Sequence, residues 1–130
     1  MINLKSAHDY IERLDLDYIC RSMCSDLYPL PQWQWQTVKT CEMLYKRYLW
    51  LRVRFPETAL VPTKEIDEFW HNHILHTKRY MEDCHALVGG YIHHRPADLE
   101  NDDLDVLAKD FEVTQTLYLK EFGEPLKVLL

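Results

Sequence analysis

Apolar residues in this chain recur at three- and four-residue intervals almost from end to end, the spacing of one face of a helix. The two-residue alternation of a half-buried strand is nearly missing. Only "VGGYIHH", residues 88–94, hints at it. The chain is therefore expected to be all-α, a compact bundle of about four to five helices with a Gly/His loop packed on it.

Four segments carry the helical period. The first is expected to start at Ser6 as N-cap, with Tyr10, Ile11, Leu14, Tyr18 and Ile19 as its stripe. Asp15 and Asp17 mark a point where it can divide into two short helices. "YPLPQ" then stops the chain, and Pro31 suits the first turn of a second helix running to Arg54, ahead of Pro56. Val38, Cys41, Tyr45, Tyr48 and Leu49 form its stripe. Trp50 and Leu51 fall off that stripe, so this helix should be covered on more than one side. The third segment opens at Thr63 as N-cap, with Glu65, Asp67 and Glu68 where the helix dipole favours negative charge. The fourth is expected to be capped by Asn101, with Asp102 and Asp103 in its first turn and Gly123 after its end.

With 130 residues, 47% of them apolar and 28% charged, the chain is expected to form one globular domain over residues 1–130. A net charge of −6 argues against a general nucleic-acid binder and against attraction to anionic membranes, since both surfaces demand cations. "MINLKSAHDYIERL" turns polar too early for a secretory signal, and "YLWLRVRF" is too short and too basic to span a bilayer. A cytoplasmic location is expected. Cys20, Cys24, Cys41 and Cys84 show no paired C-x-x-C spacing, so reduced thiols are expected rather than a zinc ribbon.

Three of the seven histidines, His71, His73 and His76, fall within six residues, and His85, His93 and His94 follow. On a helix each residue advances about 100°, which stacks Asp67 and His71 on one face. Such a pair supplies two ligands to a metal, or lets the carboxylate orient the imidazole. His73 lies about 160° from His71 on a regular helix, along the apolar line of Ile66, Phe69, Tyr80 and Cys84. Either only one of these two histidines is a ligand, or the backbone breaks near His76–Thr77. A further ligand has to arrive from another segment, and "GGYIHHRP" can turn back and deliver His93 or His94. His76 and His85 are expected at the surface, Trp70 and Tyr80 as core or lid aromatics, and Cys84 as buried packing.

The run "EIDEFWHNHILHTKRYMEDC" followed by "GGYIHH" resembles the glycine-rich domain-containing-protein-like family. Asp67, Trp70, His71, His73, Leu75, Tyr80, Asp83, Cys84, Gly89 and His94 match its pattern. The likeness is specific over residues 62–94, and with no long glycine-rich tail the chain looks like a minimal, stand-alone version. It implies a break at Thr77, where the family often has proline, and makes His94 a firmer candidate than His93, which stands where an acidic residue is common. It implies no reaction.

Two functions of different kind follow. The first is a small metal-binding protein holding zinc or iron through Asp67, His71, His94 and, given the break, His73. As an enzyme it would use Tyr80 or Asp83 as nearby proton carriers, with a small-molecule substrate. The second is a non-catalytic interaction module for a protein partner, in which the same residues form a structural polar network. "QWQWQ" would then offer a partner surface, although two core tryptophans are the simpler account. An H-E-x-x-H protease is excluded by spacing, and Cys84 lacks the basic neighbour or resolving thiol that redox chemistry needs.

Overall fold

The four periodic segments become six helices because the first and the third each break in two. In the computed structural model, which describes residues 3–27, 32–98 and 100–129, these are α1 (Leu4–Arg13), α2 (Asp17–Cys24), α3 (Trp35–Arg54), α4 (Lys64–Leu75), α5 (Thr77–Val88) and α6 (Leu104–Phe122). The first break falls where Asp15 accepts the Asp17 N–H at 2.9 Å, a side-chain turn that competes with helix continuation. The second falls at His76, whose backbone leaves helical geometry for one residue. "VGGYIHH" forms no strand among the described residues. Past Gly90 it runs without regular structure.

Three helix starts differ from the sequence reading, those of α1 and α6 because a better-placed acceptor competes. Asn3, not Ser6, caps α1, and its Oδ1 takes the Ser6 N–H at 3.0 Å. Helix α3 begins at Trp35, and Pro31 lies outside the described residues together with Tyr28, Pro29 and Leu30. Asp103, not Asn101, caps α6, receiving the N–H groups of Asp105 and Val106. Asp102 is drawn away instead by the Arg95 guanidinium and the Asp98 N–H. Thr63 caps α4 as expected, accepting the Ile66 N–H at 3.2 Å, and Gly123 ends α6 in the left-handed conformation.

Helix α3 lies at the centre and packs against α1, α2, α4 and α6. Ten of its residues are buried, from Val38 to Val53, so it is covered on several sides, as Trp50 and Leu51 foretold. Of the tryptophan pair, Trp33 is in the core while Trp35 is exposed beside Lys39. Aromatic rings fill much of the interior: Tyr45, Tyr48, Phe69, Tyr80 and Tyr118 are all almost wholly excluded from solvent.

Several of the polar groups inside are paired across helices. His73 from α4 is 1% exposed. Its Nδ1 lies 2.6 Å from the Tyr45 hydroxyl of α3, and its Nε2 lies 2.7 Å from Asp83 Oδ2 of α5. The Tyr10 hydroxyl of α1 donates to the other Asp83 oxygen at 2.6 Å. Every group is satisfied when Nε2–H donates to the carboxylate and Nδ1 accepts from Tyr45. Burial raises the Tyr45 hydroxyl well above its ordinary value, which keeps it a donor. His73→Ala strands two buried polar partners, and each orphaned group costs about 1–3 kcal/mol. Urea denaturation should show a loss of roughly 2 kcal/mol or more, whatever metal is present.

All four cysteines are unpaired. Burial pushes the Cys20 and Cys41 thiols up to about 12, with nearby Glu42 and Glu65 respectively adding to it. The thiolate is the reacting species, so at pH 8 both should resist iodoacetamide in the native protein and label only on unfolding, as intact mass would register.

Candidate metal centre

Helix α4 starts at the Thr63 cap and presents one face to the core. Ile66, Phe69, Trp70 and His73 turn to the core, while Asp67 and His71 stay at its edge, one turn apart. After the bend at His76, α5 folds back alongside α4. Gly89 then closes α5 with φ +71°, a conformation that L side chains rarely adopt, and sends the chain back across α4.

One hydroxyl fixes where that returning segment lies. Tyr80 accepts the Trp70 indole N–H at 2.9 Å and donates to the Ile92 carbonyl at 2.5 Å. It thereby ties α5, α4 and the segment after Gly90 at a single buried atom. Burial raises its proton affinity, so the hydroxyl remains protonated and the bond to Ile92 persists over the working pH range. Ile92 itself is buried. Two residues on, the His94 ring rests on Trp70 with centroids 4.2 Å apart, and Arg52 of α3 lies over the same indole at 5.5 Å.

His94 thus arrives beside the α4 pair. Its Nε2 contacts Asp67 Oδ1, while Asp67 Oδ2 lies 3.4 Å from His71 Nε2 and the two imidazoles stand 4.7 Å apart. One potential ligand atom from each of the three residues falls within 4.8 Å of the other two. The side chains of Asp67 and His71 are 35% and 47% exposed and that of His94 only 10%, so the group sits at the surface with one wall inside. Ligand atoms about 2.0–2.2 Å from one ion stand roughly 3.0–3.5 Å from each other. The Asp67–His71 spacing already meets this. The Asp67–His94 contact is tighter, and admitting an ion requires it to open by roughly an ångström or less.

His73 does not join this group. Helix α4 stays regular through Leu75, and the bend at His76 lies beyond both His71 and His73, so it leaves their opposed directions unchanged. Both His73 ring nitrogens are engaged in the core relay. Asp83 belongs to that relay, and Tyr80 reaches the group through Trp70 and the Ile92 carbonyl, so neither expected proton carrier touches the triad. His93 is exposed against Tyr91, and its carbonyl accepts from Arg52 at 3.4 Å. His85 is exposed, but His76 is half-buried, with Nδ1 on the Asn72 carbonyl at 2.8 Å and its ring against Tyr18. Cys84 is buried and its thiol is raised by burial, which disfavours the thiolate.

A second group with ligand-like spacing, Asp17, Cys20 and Glu42, is already neutralised from within. Lys39 Nζ sits 2.8 Å from Asp17 and 2.5 Å from Glu42, where a cation would otherwise go. The bond to Lys39 holds the Asp17 carboxyl below its usual range.

The UCP032817-like family model matches residues 8–109, from α1 into α6 and across the whole triad. The chain belongs to that family. It is also similar to glycine-rich domain-containing proteins 1 and 2 of Arabidopsis thaliana, each 31% identical over 83 residues, 61% of this chain. The chain spans about a tenth of the length of these relatives. The family match thus extends well beyond residues 62–94, on which the resemblance in the sequence rests. No solved structure matches the chain.

Because Tyr80 pins the segment that carries His94, Tyr80→Phe should free it. Hydrogen exchange at the amides of Ile92 to Arg95 is expected to quicken, and stability to fall by about 1–2 kcal/mol.

Proposed function

We propose that this chain is a small metal-binding protein in which Asp67, His71 and His94 hold one divalent ion, zinc or ferrous iron. What carries the reading is the convergence of two imidazoles and one carboxylate, from two separated segments, within 4.8 Å. Two imidazoles and a carboxylate suit either ion and leave coordination positions open. A metal held this way supplies Lewis acidity at a surface-facing position. The chain's own contribution is to orient: Trp70 backs the His94 ring, and Tyr80 fixes the backbone that carries it. The four unpaired thiols support a reducing compartment, consistent with a cytoplasmic location. Among the described residues no helix is long and apolar enough to cross a membrane.

The direct His94–Asp67 hydrogen bond favours a second reading, in which the triad is a polar latch holding the returning segment on α4 and the protein acts as an interaction module. One set of measurements separates the two. Under the metal reading, tag-free protein carries one divalent ion per chain by elemental analysis, and His71→Ala and His94→Ala lose it. A free ion at roughly 100 times its Kd adds about 2.7 kcal/mol of stability, so a chelator should lower the Tm of the parent protein and leave that of His94→Ala unmoved. Metal content unchanged in both variants, with a Tm indifferent to chelation, would leave the latch.

A further inference from the structure

Beside the triad lies a cavity of about 560 Å³ between α3, the residues before α4, the returning segment and α6. Asp67, Trp70 and His94 form part of its wall, so the proposed ion would stand at its edge. Its apolar lining is provided by Leu60, Val61, Pro62, Pro96 and Leu107. A volume of this order with mostly apolar walls and a few convergent charges is the usual form of a small-molecule site.

The charges in it are not equivalent. Arg95 is consumed by Asp102. Arg52 and Lys64 make no ion pair among the described residues, although carboxylates lie close by in Asp67 and Asp110. Arg52 lies on the face of Trp70, whose ring also meets His94, and Lys64 stands three residues before Asp67 on α4. Both cations therefore gather at the triad end. Among nearby backbone donors the Val61 N–H goes to Thr114 Oγ1 and those of Ile66 and Asp67 go to Thr63, while the first-turn N–H groups of Lys64 and Glu65 have no acceptor within the helix and add to the attraction for an anion. A carboxylate needs only a guanidinium or an ammonium, and the mostly apolar walls favour an anion that carries a hydrocarbon body over a bare phosphate.

We infer that this cavity binds a small monocarboxylic acid, with its carboxylate at Arg52, Lys64 and the triad and its hydrocarbon body along Leu60, Val61 and Leu107. The inference rests on the metal reading for the direction in which the carboxylate points. The cavity and its two cations do not depend on the ion. It assigns the class of compound that the site would act on or sense.

Octanoate, octanamide and octylamine share a body and differ in charge, so they test the head-group preference directly. Titrated into ¹⁵N-labelled full-length protein of measured metal content, octanoate should give saturable shifts at Leu60–Lys64 and Leu107–Asp110. Octanamide and octylamine should bind at least about tenfold more weakly, the loss expected for one charge-assisted hydrogen bond. Arg52→Gln and Lys64→Gln, checked for unchanged Tm, should each reduce that preference. Equal affinity for octanoate and octanamide, or no octanoate binding to metal-replete protein, overturns the inference. Protein that takes up no metal overturns the preceding reading alone, and the octanoate-to-octanamide ratio then decides this one, because Arg52 and Lys64 remain in place.

Discussion

The pairing of the His73 imidazole with Tyr45 on one side and Asp83 on the other joins α3, α4 and α5 inside the core, and Tyr10 extends the chain of bonds to α1. An imidazole excluded from water has to satisfy both nitrogens, and here each partner comes from a different helix. The relay therefore fixes the rotation of α4 about its axis. With His73 facing inward, Asp67 and His71 are placed at the rim. The position of the surface triad is in this sense set by the buried histidine rather than by the triad itself.

The same division of labour appears at Tyr80. Its hydroxyl is bound by the Trp70 indole and binds the Ile92 carbonyl, so it positions His94 without touching it. Two residues expected to move protons, Tyr80 and Asp83, are used to hold the frame. On the proposed reading the chemistry falls to Asp67, His71 and His94, beside the cations Arg52 and Lys64 that face the neighbouring cavity. A rigid inner layer beneath a more exposed outer layer is the arrangement that a small site needs if its ligands are to converge without help from a large scaffold.

Much of the frame was legible from the chain. The 3.6-residue period identified the helices, and Thr63 and Gly123 marked ends where local chemistry has no competitor. The divisions at Asp15 and near His76 were anticipated because Asp, His and Thr weaken a helix from within. Caps were misread where several candidates crowd together. Asn101, Asp102 and Asp103 can all accept an N–H, and the choice fell to Asp103 with Asp102 engaged by Arg95 from earlier in the same connecting segment. Spacing along α4 paired Asp67 with His71, because four residues is a local distance. Spacing also predicted that His73 points the other way, and the bend at His76 lies too late to reverse it.

The sequence alone determined which helices form, that Asp67 and His71 share a face, and that Gly89 lets the chain reverse, for each of these depends on residues within a turn or so of one another. Spacing by itself could not choose between His93 and His94, neighbours with identical side chains, and it was the family resemblance that favoured His94. The tertiary structure supplies the physical reason that His94 lies beside Asp67 and His71, through the anchoring of Ile92 by Tyr80 and the seat offered by Trp70. Likewise it decided that Arg52, near the end of the preceding helix, faces the same cavity as Lys64. Contacts between remote segments follow from how whole faces pack, and no local spacing records them.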